Sequence, residues 1–210
     1  MKIETPEGFS LFGEPLYNPV SYPDPEHKQL VKFNKAYSEW EKAPEDRDKI
    51  LWLGRQHAYV GRYRDAIHIF TEGLKKFPDD PEFLRHRAHR YLSLRMFDYS
   101  INDSERAVDL MLKGTDFMEP SGLAGAEETT EYTFYTNTYY HLGLAYMMKG
   151  DLLNARRAFD DLLDVAVNDD HIIMSVYWNY IILKRLDYEE DAKEALSHVK
   201  PDMKTSARAR

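Results

Sequence analysis

The feature that most constrains the fold of this chain is an internal repeat with a period of 34 residues. Residues 49–80 align with residues 81–113, so that Gly54 falls on Ala88, and a third copy at residues 136–169 aligns after an insertion of 21 residues. Each copy contains two stretches of helical periodicity joined by a short turn. Because a single helical hairpin cannot bury its apolar face alone, this self-similarity indicates stacked hairpins that share a continuous core.

Small residues occur where the two helices of a hairpin would cross. The first copy has Gly54 and Ala66, and the third copy has Gly143 and Ala155 at the same positions. Small side chains let two helices approach closely, and an aromatic residue four places further on fills the space beside them. The second copy departs from the pattern at three positions, where it has Arg87, Ser100 and Ser104.

The repeated residues resemble the tetratricopeptide repeat (TPR) superfamily, whose unit is a helical hairpin of about 34 residues. The positions that carry the resemblance are Leu53, Gly54, Gly61, Ala66, Phe70, Pro78, Tyr91, Leu142, Gly143, Tyr146, Gly150, Ala155 and Phe159. The resemblance implies an all-α fold, a TPR-like right-handed solenoid of helical hairpins (an α-α superhelix). Two stretches, Arg85–Tyr91 and Glu119–Gly122, also resemble a group of bacterial TPR proteins of unassigned activity.

The sequence predicts three parts. Residues 1–25 contain five prolines and no helical period, so we expect extended chain that lies over the surface or is partly disordered. Residues 26–200 form the TPR-like array, and residues 201–210 form a frayed tail. Within the array we expect a leading helix (26–42), repeats at about 46–80, 81–113 and 136–169, a degenerate fourth hairpin (170–199) and an insertion (114–135).

Composition excludes several classes of function. The chain has no Cys, which removes disulfides, thiol nucleophiles and Cys-type zinc sites. Its net charge of −8 argues against binding to nucleic acid or anionic lipid. It has no membrane span and no export signal, so we expect a cytoplasmic protein. It also lacks the phosphate-loop, metalloprotease and serine-hydrolase motifs, so we predict no cofactor and no enzymatic activity.

The resemblance to TPR arrays implies that a second face of each first helix lines a groove. In the first repeat, Trp52, Arg55 and Tyr59 lie off the packing stripe and occupy that face. Projection through the repeat predicts a groove lined by Trp52, Arg55, Arg85, His86, His89, Tyr140 and His141, with Trp178 as a further candidate. His57 lies on the packing stripe, so we expect a satisfied core residue.

The predicted groove is basic although the protein is acidic. Arginine side chains bind carboxylates in a bidentate manner, and aromatic residues can anchor a ligand. The pattern therefore predicts a scaffold or adaptor that binds a peptide or protein segment, which would be acidic. The alternative is that some of these arginines pair internally, with Arg87 and Arg90 as the foremost candidates because they point toward the helix-packing side.

Two other functions remain open from the sequence. His86, His89 and His141 could instead bind a metal ion or a small anion, or serve an enzyme. The array could also be a structural module that associates with itself. The insertion at 114–135 has five acidic residues and no Lys or Arg. It could be a solvent-exposed surface loop, or it could occupy the basic groove as an internal ligand that the partner displaces.

Overall fold

The computed structural model describes residues 5–10, 12–18, 22, 24–122 and 132–204. These residues form nine α-helices and one two-stranded antiparallel hairpin. The helices are α1 (Lys28–Lys42), α2 (Arg47–Tyr59), α3 (Tyr63–Lys76), α4 (Pro81–Ser93), α5 (Phe97–Met111), α6 (Phe134–Lys149), α7 (Leu152–Asp164), α8 (Asp169–Arg185) and α9 (Glu189–Leu196). Each helix packs mainly against its neighbours along the chain, which is the pattern of a solenoid. The predicted all-α fold is confirmed.

The helix starts follow from local capping chemistry. Asp46 precedes α2 and accepts hydrogen bonds from the amides of Asp48 and Lys49. Asp80 precedes α4 in the same way, and Pro81 occupies the first turn, where its missing N–H costs nothing. The two caps are separated by one repeat, so the capping residues set the same register in both hairpins.

Close packing within the hairpins depends on the small residues that the sequence singled out. A Cβ atom at Gly54 would collide with the ring of Phe70, and one at Gly143 would lie 2.7 Å from Phe159 Cζ. Ala66 and Ala155 are fully buried at the same crossings. In the first and third hairpins, the first helix therefore rests directly on an aromatic ring of the second.

An ion pair replaces apolar contacts in the second hairpin. Arg87 Nε and Nη2 donate to the two carboxylate oxygens of Asp103 at 2.6 and 2.9 Å. Arg87 Nη1 also donates to Thr71 Oγ1 at 3.0 Å. The predicted internal pairing of Arg87 is thus confirmed, and it joins α3, α4 and α5 where the TPR pattern would place apolar side chains.

The N-terminal segment differs from the expectation of extended chain alone. It contains a short hairpin of β1 (Gly8–Phe9) and β2 (Pro15–Leu16). Asn18 Nδ2 donates to the carbonyl of Val60 at 2.9 Å, which fastens the segment to the end of α2. The leading helix begins at Lys28 rather than at 26, since Asp24 accepts from the amide of Glu26 in a preceding turn. Expectations for 1–4, 11, 19–21, 23, 205–210 and the part of the insertion at 123–131 lie outside the described residues.

In the described part of the chain, none of the helices combines the length and the apolar character that crossing a membrane requires.

Candidate functional site

A cavity of about 340 Å³ lies on the face formed by α2, α4 and α6, which are the first helices of the first three hairpins. We call this surface the inner face. Six of the seven predicted groove residues line the cavity, namely Arg55, Arg85, His86, His89, Tyr140 and His141. Trp52 does not line it. Trp52 is half-buried beside the cavity, where the Arg55 guanidinium lies 4.8 Å from its ring centroid.

Helical spacing explains why these side chains meet. Residues three or four apart share one face of a helix, so His86 and His89 of α4 point in similar directions. Asn137 and His141 have the same relation on α6. Because α4 contacts both α2 and α6, the three faces converge on one space.

A segment of the insertion crosses the inner face. We call residues Phe117–Gly122 the strap. Arg55 Nη2 donates to the carbonyl of Pro120 at 2.5 Å, and Gln56 Nε2 donates to the carbonyl of Gly122 at 3.3 Å. The amide of Gly122 donates to the Tyr59 hydroxyl at 3.3 Å. The strap is therefore fastened to α2 at three points by side chains from successive turns.

Gly122 is required at its position by this close approach. A Cβ atom there would collide with the ring of Tyr59. A residue with a side chain at position 122 would push the end of the strap away from α2. The Glu119–Gly122 stretch noted in the sequence is thus a contact motif, and its partners lie on α2, α4 and α6.

Glu119 of the strap forms a buried ion pair with α4. One carboxylate oxygen, Oε2, lies 2.9 Å from Arg85 Nη2 and accepts from Asn137 Nδ2 at 2.6 Å. The Arg85 and Glu119 side chains are only 7% and 5% exposed, so the pair is shielded from water. Burial, the largest single effect, would raise the pKa of Glu119, but Arg85 together with His86 and Arg55 outweighs it and holds this pKa well below its ordinary value.

Arg85 also determines the protonation of His86. Arg85 Nη1 lies 2.8 Å from His86 Nδ1, and since a guanidinium can only donate, Nδ1 must accept. The ring is therefore neutral with its proton on Nε2. That N–H faces Glu119 Oε1 at 3.0 Å, although it is not aligned for a full hydrogen bond. Burial, followed by the charge of Arg85, lowers the pKa of His86 well below its ordinary value.

His89 and His141 form a second pair of rings in the cavity. Their centroids are 3.8 Å apart. His141 Nδ1 lies 2.6 Å from the carbonyl oxygen of Asn137, so Nδ1 carries the proton and Nε2 has a free lone pair. Burial lowers the pKa of His141 to about 3, and burial likewise lowers that of His89 well below its ordinary value. Both rings are thus neutral near pH 7.

Arg90 is placed differently from the sequence expectation. Arg90 was a foremost candidate for internal pairing, but it lines the cavity and its guanidinium lies 5.2 Å from the ring centroid of Tyr63. The physical reason is that Arg90 is four residues after His86 and so shares its helix face. Within the described residues no carboxylate pairs with Arg90. Burial lowers its pKa to about 10, so it remains charged.

The charges that line the cavity do not balance. Among the described residues that line it, three guanidinium groups, those of Arg55, Arg85 and Arg90, face one carboxylate, that of Glu119. Nε of Arg55 and Nε of Arg85 are also buried without a hydrogen-bond partner in the described part of the chain. Buried donors of this kind are costly unless a ligand or solvent accepts from them. The lining is thus suited to an anionic group.

The histidines are not arranged as metal ligands. Within the residues that the structure describes, no group of three His, Cys, Asp or Glu side chains could hold a metal ion. His86 is engaged by Arg85, and His89 stacks with His141. His57 lies outside this cluster, in edge contact with Phe33, and burial lowers its pKa to about 4. It is a buried residue as expected, but it is not satisfied, because its Nδ1 has no hydrogen-bond partner within the described residues.

Sequence reasoning missed several residues that build the site. Gln56 is fully buried and links Gln29 of α1 to the strap. Tyr59 had been placed on the second face but not among the groove residues. It lies four residues after Arg55, so helical spacing alone could have added it. Nothing in the repeat pattern could have shown that Glu119 reaches Arg85, because the insertion has no period.

Comparison with known proteins gives a fold but no close relative. No protein-family model matches the chain, and no curated protein matches it. Among solved structures, a crystal structure of MamA superposes with a TM-score of 0.63 at 16% identity, over 85% of this chain and 94% of that one.

Two further solved structures agree. The structure of the APC/C hetero-tetramer Cut9-Hcn1 gives a TM-score of 0.60 at 14% identity, over 81% of this chain and 28% of that one. A tetratricopeptide repeat protein from Parabacteroides merdae gives a TM-score of 0.55 at 16% identity, over 81% of this chain and 58% of that one. At these identities the similarity establishes the fold, and the chain therefore has the TPR-like solenoid fold that its repeats predicted.

Proposed function

We propose that this protein is a non-catalytic interaction scaffold whose inner face binds an acidic segment of a partner protein. Stacked hairpins form an extended concave surface, and such a surface is suited to binding a segment of another protein. One of the similar structures, Cut9-Hcn1, is a hetero-tetramer, so this fold takes part in protein assembly there.

The observation that carries the proposal is the charge imbalance of the cavity. In the part of the chain that the structure describes, Arg55, Arg85 and Arg90 line it with one carboxylate, in a protein whose net charge is −8. A cleft of one sign within a surface of the other sign concentrates the electrostatic field and attracts ligands of opposite charge. An acidic segment would be guided to the inner face and repelled elsewhere.

The strap supports the proposal because it shows how the inner face can hold an extended segment with an acidic side chain. It is a segment of the chain's own backbone with one acidic side chain, and the inner face holds it through Arg85, Arg55 and Tyr59. A partner segment would use the same types of contact, namely arginine to carboxylate and side chain to backbone. The strap covers part of the face, so the partner would bind beside it.

The test is a binding assay with matched peptides. A fluorescent peptide rich in glutamate and its glutamine counterpart are titrated with the full chain, and anisotropy is recorded at several salt concentrations. We expect binding of the glutamate peptide only, with an affinity that falls as salt rises.

The assay needs one variant and one control. Arg55→Glu reverses a charge in the cavity and should weaken binding by about tenfold or more. Arg106→Glu is the control, because Arg106 lies half exposed on α5 and pairs with Asp79. Equal binding of the two peptides, or unchanged binding by a folded Arg55→Glu variant, would refute the proposal.

A further inference from the structure

The unpaired guanidinium of Arg90 marks a second anion position in the cavity, separate from the one that Glu119 occupies. Both oxygens of Glu119 are already directed at Arg85, His86 and Asn137. No ion pair joins Glu119 to Arg90 within the described residues. The Arg90 guanidinium is half-buried, and no carboxylate among the described residues pairs with it, so its N–H groups are free to donate charge-assisted hydrogen bonds to a bound anion.

The strap limits what can reach this position. It is held against α2 by Arg55, Gln56 and Tyr59, and against α4 and α6 by Glu119. These contacts make the strap a fixed side of the cavity. The remaining volume of about 340 Å³ is at the lower end of the range for small-molecule sites. It suits one side chain or one small molecule, and it is too small for several residues of a peptide.

The rest of the lining indicates what the anion is attached to. Ala58, Phe70 and Met174 give the cavity an apolar side, while Tyr59 and Tyr140 add aromatic surface with hydroxyl groups. Inorganic phosphate has no hydrocarbon part and would leave this apolar side without a partner. A carboxylate on a short hydrocarbon stem could accept two hydrogen bonds from a guanidinium group while its stem packs against the apolar side.

We infer that the cavity contains a subsite for one carboxylate on a short apolar stem, with the Arg90 guanidinium as its charge partner and the His89–His141 pair beside it. The inference rests on the proposed function to the extent that an acidic side chain of the partner would fill the subsite. The same chemistry is offered by a free short-chain carboxylic acid. Arg90 is thus a specificity-determining residue, distinct from the Arg85 that holds the strap.

The experiment uses butyrate and its neutral counterpart butyramide as probes. Each is titrated into the full chain, and NMR follows the side-chain signals of His89, His141 and Arg90. We expect saturable shifts with butyrate, no response to butyramide, and weaker binding of inorganic phosphate. A blocked Gly-Glu-Gly peptide tests the source of the carboxylate. If this peptide binds more tightly than butyrate, the carboxylate is that of a partner side chain. If it binds more weakly, the carboxylate is that of a free acid.

Variants separate this inference from the proposed function. Arg90→Gln removes the charge and should weaken butyrate binding by about tenfold or more, whereas Arg106→Gln should leave it unchanged. Circular dichroism establishes that both variants are folded. If folded Arg90→Gln binds butyrate as the parent does, or if butyramide binds equally well, the inference is wrong.

The two ideas fail in different ways. If butyrate binds through Arg90 but the glutamate-rich peptide does not bind, the subsite stands and the proposed function falls. If that peptide binds and Arg90→Gln has no effect on it or on butyrate, the proposed function stands and the subsite falls.

Discussion

Replacing Glu119 with alanine should destabilise the fold strongly, although this residue lies in an insertion outside the repeats. The variant leaves the Arg85 guanidinium, which is 7% exposed, without its carboxylate, and it also removes the acceptor of Asn137 Nδ2. Breaking a buried ion pair by removing one partner costs about 3–5 kcal/mol, because the remaining charge stays buried and unpaired. The free energy of unfolding should fall by that amount.

The assay is urea unfolding followed by circular dichroism. With an m-value of about 2–3 kcal/mol/M, the midpoint should fall by about 1–2 M. Glu72→Ala is the control, since Glu72 pairs with Lys75 on the surface and its loss should not move the midpoint measurably. The double variant Arg85→Met/Glu119→Ala removes both charges and should recover most of the lost stability.

Two results would refute this reasoning. One is a Glu119→Ala midpoint no lower than that of Glu72→Ala, which would mean that the carboxylate is solvated in solution. The other is a double variant that is less stable than Glu119→Ala, which would mean that the two side chains act independently.

Three further predictions concern pH and the packing of glycines. Burial lowers the pKa of His141 from its ordinary 6.5 to about 3, so the unfolded chain binds a proton first as pH falls. Stability should therefore be lost on acidification below about pH 6.5, by up to about 1.4 kcal/mol per pH unit for each such histidine, and a flat melting temperature down to pH 4 would contradict this. Gly122→Ala should loosen the strap through collision with Tyr59, seen as faster hydrogen exchange at the Glu119 amide with unchanged helicity, and unchanged exchange would count against the contact. Gly54→Val should cost about 1–3 kcal/mol in urea unfolding because the added side chain overlaps the Phe70 ring, and a neutral result would show that the two helices are further apart.

The sequence was sufficient for the hairpins and for the direction in which α2, α4 and α6 point their side chains. Repetition supplies this information, since Gly54 and Gly143 occupy equivalent positions and Arg55 and His141 fall on equivalent faces. Helical spacing would also have placed Arg90 beside His86. The expectation of internal pairing failed because α5 offers its buried carboxylate, Asp103, to Arg87 instead.

The path of the insertion could not be predicted, because loop residues have no period that relates them to a face of the array. That Glu119 reaches Arg85 is a tertiary contact between residues far apart in the chain. The same holds for the N-terminal hairpin, where two residues per strand give too short a pattern to detect. The sequence did indicate that the two segments have opposite charges, since a basic stretch and an acidic insertion occur in one chain.

The central claim is that the inner face, rather than the outer helices, receives an acidic segment. Amide chemical-shift mapping by NMR during titration with the glutamate-rich peptide tests this most directly. We expect the largest changes on α2, α4 and α6, around Arg55, His89 and His141, together with the indole N–H of Trp52. Changes confined to α3, α5 and α7, or no change at a saturating peptide concentration, would contradict it.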